Sequence, residues 1–463
     1  MKLQAFYYII ILYFCGGGTI KRKGINHLQI IALGYFTIVF LGTILLMLPI
    51  STQNGQASSL LTAAFTSVSA SCVTGLIAVN TATHWSMFGQ IVILVLIQLG
   101  GLGYMTIATF FYRLVIRKKG LREKVMMAET INTTRLDNFS GLIKKIVLGT
   151  LIFETAGAAL LSISFIGRFG LSKGIYFSIF HSISAFCNAG FDLLGENTPF
   201  VSLMDFSGDY IVLLTVSALI IIGSLGFLVW DDISVKRFKL KKLNLHSKIV
   251  LITSGVLILS GAVLFFIFEY NNLLKDMPFG QKILNSFFAS VTPRTAGFNS
   301  VDMSAFSPSS VLLTVFLMFI GGSSGSTAGG VKTTSIFVIV AFAFSTVRGN
   351  DEVVVFGKTI KTEFLKKAIL IVTLNIALII CATLIICAVD GTPIDKAILE
   401  TVSAMSTVGL TAGLTPTLST ASKIVLMFLM FCGRVGSVSF ASALFEKRVN
   451  PPISYPAESI TVG

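Results

Sequence analysis

Ser71-Cys72-Val73-Thr74-Gly75-Leu76 is the first of four related stretches that decide the fold of this chain. Each stretch ends in a small residue, a glycine and a large apolar residue, and the other three are Phe186-Cys187-Asn188-Ala189-Gly190-Phe191, Pro293-Arg294-Thr295-Ala296-Gly297-Phe298 and Met405-Ser406-Thr407-Val408-Gly409-Leu410. The four glycines are 115, 107 and 112 residues apart. A spacing this regular predicts one structural unit repeated four times.

The match between the units extends on both sides of these glycines. Every unit has an apolar residue ten positions upstream and a small one five positions upstream: Phe65, Phe180, Phe287 and Leu399, then Ala70, Ala185, Thr292 and Ala404. Farther downstream each unit carries a second Gly-x-x-Gly pair: Gly100 and Gly103, Gly223 and Gly226, Gly322 and Gly325, Gly433 and Gly436. This second series fits close helix packing as well as it fits a pore.

The composition indicates an integral membrane protein. Of the 463 residues, 54% are hydrophobic and only 12% are charged, which is more apolar than a soluble domain requires. The six cysteines form no Cys-x-x-Cys pair, and the four histidines are scattered. A zinc site or a disulfide framework is therefore not expected.

The net charge of +14 raises the possibility of nucleic-acid binding, but the placement of the basic residues argues against it. Twenty-six of the 35 Lys and Arg residues lie in the terminal segments or in a few clusters: Lys2, 21–23, 113–145, 236–248, 348–367 and 447–448. The clusters occupy alternate loops, which is the positive-inside pattern, so these loops and both termini are expected to be cytoplasmic. No nucleic-acid partner is expected, and the lipid bilayer is the surrounding medium.

Apolar segments of roughly 20 residues, the length that crosses a bilayer, stand before and after each glycine stretch. The leading spans are expected near 27–49, 144–166, 248–270 and 367–389, and the trailing spans near 89–112, 209–230, 311–345 and 423–445. Between them lie half-apolar segments too short to cross, such as 58–70 and 176–185. Each predicts a re-entrant helix followed by a loop, and such backbone is tolerated only inside protein or along a water-filled cavity.

The predicted fold class is therefore an all-α polytopic membrane protein. Four repeats, each a helix, a re-entrant pore helix with its loop, and a second helix, give eight spanning helices around one pore in pseudo-fourfold arrangement. The expected boundaries are 1–24 for the cytoplasmic N-terminus; 25–112, 144–230, 248–347 and 367–446 for the repeats; 113–143, 231–247 and 348–366 for the cytoplasmic linkers; and 447–463 for the cytoplasmic tail.

The third trailing segment is unusual because its 35 residues, 311–345, contain five glycines near the middle. The run is Gly321, Gly322, Ser323, Ser324, Gly325, Ser326, Thr327, Ala328, Gly329 and Gly330. Glycines in this number break a helix, so a flexible intramembrane loop is predicted at 321–330. A nucleotide-binding loop is disfavoured because Val331 separates the last glycine from Lys332 and no buried strand precedes it.

The repeated glycine stretch suits a dehydrated monovalent cation, which needs a ring of oxygens in place of its water. Backbone carbonyls supply such oxygens, and glycine lets neighbouring carbonyls turn toward a narrow axis because it adopts positive φ without penalty. The candidate filter residues are Val73, Thr74, Gly75, Asn188, Ala189, Gly190, Thr295, Ala296, Gly297, Thr407, Val408 and Gly409. The short helices would point their partly negative C-terminal ends at the same axis.

With these features the chain resembles the Ktr/Trk/HKT superfamily of cation transporters, most closely the bacterial Ktr-type membrane subunit. The resemblance rests on the four glycine stretches and on the break after Phe319, and it covers nearly the whole chain from about residue 25. It implies potassium uptake across the plasma membrane through a glycine filter, with residues 321–330 as a gate and with sodium stimulation. It also implies a homodimer on a cytoplasmic ring of nucleotide-binding RCK domains of the KtrA or KtrC type.

The resemblance further implies that potassium is the filter ion, with sodium as a second candidate. Plant relatives with serine in the first loop tend to carry sodium, whereas all four positions here are glycine. The loops lack Thr-Val-Gly-Tyr-Gly, so fewer ion sites and looser selectivity than in potassium channels are expected. A sodium-preferring or non-selective carrier is the alternative. An intramembrane enzyme is disfavoured, because no acid pair, His-Asp pair or nucleophile is found at membrane depth.

Four charged residues stand apart from the filter. Arg434 lies in the middle of the last span, roughly 17 Å from either end at 1.5 Å per residue, so it should face the pore or a buried partner. The carbonyls freed at 321–330 are its nearest expected acceptors, and the family places an arginine near the gate. Lys332 is expected to reach the cytoplasmic interface. Glu154 is expected to pair with a basic residue or cap a helix, and Asp192 either concentrates cations at the outer mouth or is an ordinary solvated carboxylate.

Overall fold

The structure is a computed structural model that describes residues 27–103 and 139–436, apart from 197, 238 and 351. Expectations for residues 1–24, for most of the 113–143 linker and for the 447–463 tail lie outside the described residues. The same holds for the last parts of the spans expected at 89–112 and 423–445.

The described part consists mainly of helices, in chain order α1 (His27–Met47), α2 (Leu60–Ser71), α3 (Met87–Leu102), α4 (Phe139–Phe169), α5 (Leu171–Phe186), α6 (Tyr210–Leu225), α7 (Phe227–Lys236), α8 (Leu245–Glu269), α9 (Phe279–Val291), α10 (Pro308–Phe319), α11 (Thr333–Val347), α12 (Thr362–Asp390), α13 (Ile394–Ser406) and α14 (Thr420–Val435). A four-residue helix, Thr81–His84, and a two-stranded hairpin, β1 (Val354–Val355) with β2 (Lys358–Thr359), complete the α-helices and strands of the described residues.

Each unit contains the three elements predicted for it: a first helix (α1, α4, α8, α12), a short helix before the filter glycine (α2, α5, α9, α13), and a second helix (α3, α6, α10, α14). The second helices all begin with a side-chain cap, supplied by Ser86, Asp209, Ser307 and Ser419. Such caps satisfy backbone donors that a helix start leaves free, so each second helix has a defined beginning.

Three described helices, α4, α8 and α12, are long and apolar enough to cross a membrane, and a fourth crossing results if α6 and α7 are taken together. Their outer faces are apolar. Ile152, Leu259 and Leu384 are 64%, 66% and 64% exposed, as is appropriate for side chains that face lipid rather than water.

The expectation that only the third trailing segment is interrupted is wrong for the second unit. The chain bends by 92° between α6 and α7, at Gly226, whose φ is 96°. Glycine takes this conformation without the steric cost other residues meet. The indole nitrogen of Trp230 donates to the Ile222 carbonyl at 3.1 Å, which satisfies one of the acceptors that the end of α6 leaves free.

The same conformation recurs at the second glycine of every Gly-x-x-Gly pair. Gly103, Gly325 and Gly436 have φ values of 79°, 69° and 93°, and α3 and α14 end at the residue before their glycine. Three second helices, α3, α6 and α14, therefore end directly before the second glycine of their pair, whereas α10 ends earlier, at Phe319. Two expected linkers also contain regular structure, since α7 extends into 231–247 and the β hairpin lies within 348–366.

A side-chain hydrogen bond, repeated from unit to unit, joins each short helix to the first helix of its unit. Ser67, Ser182 and Ser290 donate their hydroxyls to the carbonyls of Val39, Glu154 and Ile258 at 2.8, 2.6 and 2.7 Å. In the fourth unit Thr401 meets Thr383 of α12 at 2.7 Å instead. This contact fixes the position of each short helix along the first helix of its unit, and so positions the glycine stretch that follows.

Candidate ion filter and gate

The four glycine stretches share one backbone conformation. The filter glycines have positive φ, with 88° at Gly75, 69° at Gly190, 81° at Gly297 and 92° at Gly409. The residue two positions earlier is also left-handed in every unit: Val73, Asn188, Thr295 and Thr407 have φ of 57°, 59°, 74° and 52°. This region is costly for β-branched residues, so its presence in all four units indicates a required geometry.

Hydroxyl groups at the C-terminal ends of the short helices form hydrogen bonds with the backbone of these stretches. Ser69 and Ser403 accept from the amides of Gly75 and Gly409, each at 3.0 Å. In the other two units the hydroxyl acts as a donor instead, from Ser184 to the Phe191 carbonyl at 2.7 Å and from Thr292 to the Phe298 carbonyl at 2.6 Å. Each stretch is therefore tied to the helix that precedes it.

The four filter glycines form a closed series of contacts, in which each one faces the carbonyl of the residue before the next filter glycine. A Cβ atom added at Gly190 would lie 2.7 Å from the Ala296 carbonyl oxygen and 3.0 Å from the Gly297 Cα. In the same way, Gly75 faces the Ala189 carbonyl, Gly297 faces the Val408 carbonyl, and Gly409 faces the Thr74 carbonyl. The fourth contact returns to the first unit, so the four stretches meet around one centre. There is no room for a side chain at any of the four glycines.

Several buried oxygens at this centre have no hydrogen-bond partner within the described residues. They are Thr74 Oγ1, Asn188 Oδ1 and Thr407 Oγ1. A hydrogen bond between side chains of two neighbouring stretches joins Asn188 Nδ2 to Thr295 Oγ1 at 3.3 Å. Buried polar atoms are normally satisfied, and uncharged oxygens left free in this way suit a cation.

The first glycine of each Gly-x-x-Gly pair serves close packing, as one of the two interpretations predicted. A Cβ at Gly100, Gly223 or Gly433 would overlap the carbonyl of Ser71, Phe186 or Met405, each four residues before its filter glycine. The second helices thus press against the ends of the short helices. In the third unit the packing differs, because Gly322 faces Ala328 and Ser224.

The glycine-rich loop 321–330 packs against the candidate filter. A Cβ at Gly329 would stand 3.1 Å from the Thr407 Cβ, and one at Gly330 would stand 3.1 Å from the Ser406 Cβ. Thr327 donates its hydroxyl to the Phe186 carbonyl at 3.3 Å. The loop therefore touches the filter ends of the second and fourth units.

The loop is also paired with the bent helix of the second unit. The amides of Ser323 and Thr327 donate to the carbonyls of Ser224 and Gly223 at 3.0 and 3.3 Å, and the Phe227 amide donates to the Gly325 carbonyl at 2.8 Å. The carbonyls and amides freed by the break at Gly226 are the partners of the loop. The second unit is interrupted where the loop of the third unit needs backbone partners.

Arg434 meets this loop. It donates to the Thr327 carbonyl and to the carbonyls of Gly100 and Gly101, the last at 3.1 Å. The expected contact with loop carbonyls is confirmed, whereas the acceptors in the first unit were not foreseen. Arg434 was expected in the middle of an unbroken helix, but α14 ends at Val435 because the chain takes positive φ at Gly436.

The remaining charged residues differ from their expectations in part. Lys332 does not extend away from the loop, because its ammonium donates to the carbonyls of Ala328 and Gly329 at 2.7 and 3.3 Å. Glu154 has no basic partner among the described residues; it accepts from the Gln98 amide at 3.2 Å. Half-buried Asp192 accepts from the Leu194 amide at 3.1 Å, which orders the loop after the second filter glycine.

Known proteins place this architecture among transporters. Residues 20–448 match the family described as TrkH, cation transport protein. The chain is 40% identical to the potassium/sodium uptake protein NtpJ of Enterococcus hirae, over 96% of this chain and 98% of the relative. It is 38% identical to the Ktr system potassium uptake protein B of Bacillus subtilis, over 94% of this chain and 96% of the relative.

The fold is also that of a solved structure. The potassium transporter TrkH from Vibrio parahaemolyticus superposes with a TM-score of 0.70 at 18% identity, covering 95% of this chain and 91% of that one. The family consists of transporters and not enzymes, in agreement with the sequence analysis. The chain belongs to the TrkH family of cation transport proteins and, within it, is similar over its full length to the Ktr potassium uptake proteins.

Proposed function

We propose that this chain takes up potassium across the bacterial plasma membrane through a pore between its four units. The observation that carries the proposal is the closed order of the filter glycines, in which each glycine faces the carbonyl that precedes the next. The units would stand in pseudo-fourfold arrangement with eight crossings, and both termini would be cytoplasmic. The names of the Enterococcus hirae and Bacillus subtilis relatives, both of them potassium uptake proteins, support potassium as the ion.

In this proposal the filter consists of the three residues that end at each glycine, from Val73 to Gly75, Asn188 to Gly190, Thr295 to Gly297 and Thr407 to Gly409. Their carbonyls would replace the water around a dehydrated ion. The left-handed residue two positions before each glycine would turn the carbonyl between it and the glycine toward the ion. The free side-chain oxygens of Thr74, Asn188 and Thr407 would help to bind the ion at the ends of the filter.

Residues 321–330 and Arg434 would form the gate. The loop lies against Thr407 and Ser406, so an ion that leaves the filter toward the cytoplasm would meet it first. The Arg434 guanidinium would hold the loop in this position through the Thr327 carbonyl. Its positive charge would also oppose the passage of a cation, since a charge in a low-dielectric constriction acts strongly.

Sodium and protein partners belong to the same proposal. The name of the Enterococcus hirae relative contains sodium beside potassium, which supports sodium as an activator or as a second carried ion. The Bacillus subtilis relative is named as one part of a Ktr system, which supports further subunits. We expect a homodimer seated on a cytoplasmic ring of nucleotide-binding RCK domains.

Ion flux into proteoliposomes tests the proposal and its alternative. Vesicles that contain the purified chain should take up potassium and rubidium faster than sodium, and a chelator of divalent metals should change nothing. Faster uptake of sodium than of potassium, or equal uptake of both, would favour the sodium-preferring or non-selective carrier. No uptake of any monovalent cation by folded protein would refute the transport role of the isolated chain.

A further inference from the structure

A carboxylate that the sequence analysis did not single out lies behind the fourth filter stretch. Glu400 is on the short helix α13, nine residues before Gly409, and is fully buried. It accepts hydrogen bonds from the hydroxyls of Thr411 and Thr415, the second at 2.7 Å. A buried carboxylate with two such donors is held in one position.

These donors belong to the segment that leaves the filter. Thr411 is only two residues past Gly409, and its hydroxyl oxygen also accepts from the Gly413 amide at 2.9 Å. Because Thr411 follows Gly409 by only two residues, the position of Thr411 limits the orientations that the carbonyls of Val408 and Gly409 can take. Glu400 thus connects the middle of the short helix to the outer end of the same filter stretch.

The other units show what is particular about this position. Nine residues before their filter glycines stand Thr66, His181 and Phe288. His181 makes a weaker version of the brace, since its Nε2 accepts from the Leu193 amide at 3.4 Å while Nδ1 meets the Phe177 carbonyl at 2.7 Å. Among the four units only the fourth uses a carboxylate and two hydroxyls, so its filter stretch is the most firmly held from outside.

We propose that Glu400 is a positioning residue that sets cation selectivity, by fixing the outer end of the fourth filter stretch through Thr411 and Thr415. This inference rests on the proposed function, since it assigns the residue to the same filter. The cations it discriminates are potassium and the smaller sodium. A stretch that is held at fixed width cannot contract around sodium, whereas a released stretch can.

The physical step is the loss of a hydrogen bond to the buried Glu400 carboxyl group. Replacing Thr411 by valine removes the hydroxyl and keeps the shape, and it leaves one carboxylate oxygen with fewer donors. Thr411→Ser keeps the hydroxyl and is the matched variant. Thr415→Val and Thr415→Ser form a second pair. Thr417→Val is the control, because the Thr417 hydroxyl is exposed and donates to the Leu414 carbonyl at 2.9 Å rather than to Glu400.

The test is potassium and sodium uptake by proteoliposomes, with KM and maximal rate measured separately for each variant. Thr411→Val, Thr415→Val and Glu400→Gln should each lower the ratio of potassium to sodium uptake about tenfold, the factor for one buried hydrogen bond. The change should lie mainly in KM for potassium. Both serine variants and Thr417→Val should retain the ratio of the parent.

An unchanged ratio in folded Thr411→Val and Thr415→Val would overturn the proposal, even if these variants unfold at lower temperature, because Glu400 would then only stabilise the fold. Gly409→Ser, measured in parallel, separates this inference from the function on which it rests. If Gly409→Ser changes the ratio and the threonine variants do not, only the role of Glu400 fails. If Gly409→Ser also leaves the ratio unchanged, the assignment of the fourth stretch to the filter fails, and the role of Glu400 fails with it.

Discussion

Arg434 of the fourth unit donates to the backbone carbonyl of Thr327, which belongs to the glycine-rich loop of the third unit. The same guanidinium donates to Gly100 and Gly101 of the first unit, so one side chain joins three units below the filter. An arginine has five donors in a fixed planar fork, which allows it to hold carbonyls from different elements at once. The loop is held on its other side by the bent helix of the second unit.

Replacing Arg434 by alanine should release the loop and increase potassium flux. The variant loses the hydrogen bonds to three carbonyls and the positive charge that opposes a cation. Arg434→Lys should give an intermediate flux, because the charge remains while the planar fork is lost. The measurement is the initial rate of potassium uptake into proteoliposomes at equal amounts of incorporated protein.

Lys423 supplies the control for this prediction. It lies on the same helix and donates to the Pro416 carbonyl at 3.0 Å, away from the loop, so Lys423→Ala should leave the flux unchanged. If Arg434→Ala is folded and slower than the parent, the arginine positions the structure and the barrier role must be abandoned.

Substituting a filter glycine should reduce the preference for potassium over sodium. At Gly190 even an alanine Cβ would lie 2.7 Å from the Ala296 carbonyl oxygen, so the neighbouring stretch must shift, and φ of 69° adds backbone strain. Gly190→Ala and Gly190→Ser should therefore both lower the ratio of the two uptake rates, as should the equivalent changes at Gly75, Gly297 and Gly409.

Gly391 provides a matched comparison for that prediction. Its φ is 63°, but no atom lies within 4 Å of a Cβ added there. Gly391→Ala thus introduces similar strain without a clash, and it should cost about 1 kcal/mol of stability with unchanged selectivity. Equal selectivity in the parent and in all four filter variants would mean that the glycines are not the filter.

The periodic part of this architecture could be predicted from the sequence, whereas most contacts between units, apart from that of Arg434 with the loop, could not. The four short helices and the interruption at 321–330 follow from apolar lengths and glycine content, which are local properties. The bend at Gly226 was missed because a Gly-x-x-Gly pair in an apolar run also fits an unbroken packed helix. Its cause is the loop of another unit, whose backbone bonds to the freed groups of α6.

The candidate site shows the same division. The candidate filter glycines and Arg434 could be singled out from the sequence because four glycines in register and an arginine at membrane depth are rare. Glu400 was missed, although a carboxylate inside a half-apolar segment, next to Leu399 and Thr401, was the available signal. Its partners Thr411 and Thr415 lie in the outer loop, and only the fold shows that they point back to it.

Trp230 should stabilise the bend in the second unit. Its indole nitrogen donates to the Ile222 carbonyl at 3.1 Å, and its ring packs against Phe153, Phe186 and Phe227 with centroids 5.2, 5.7 and 5.3 Å away. Trp230→Phe keeps an aromatic ring and loses the hydrogen bond, so it should cost about 1 kcal/mol.

Trp230→Ala also loses the packing, so it should cost about 3 kcal/mol. The measurement is thermal unfolding in detergent. Equal unfolding temperatures for the parent and the phenylalanine variant would show that the hydrogen bond across the bend contributes nothing.

The contact between Ser182 and the first helix of its unit makes a prediction that two variants test together. Ser182 donates to the Glu154 carbonyl at 2.6 Å, and a Cβ added at Gly157, one turn further along α4, would lie 2.6 Å from the Ser182 hydroxyl oxygen. Ser182→Ala should cost about 1 kcal/mol, because the helical carbonyl keeps its backbone donor and only the extra bond is lost. Gly157→Ala should cost about 2 kcal/mol through overpacking.

The double variant tests whether these two residues are coupled. Its added methyl meets no hydroxyl, so its loss of unfolding free energy should be smaller than the sum of the two single losses by at least 0.5 kcal/mol, the coupling expected of residues in contact. Part of the strain must remain, since the same Cβ would also lie 2.6 Å from Leu219 Cδ1. Strictly additive losses in thermal unfolding would show that Ser182 and Gly157 do not share this contact, and that the short helix is fastened to α4 in another way.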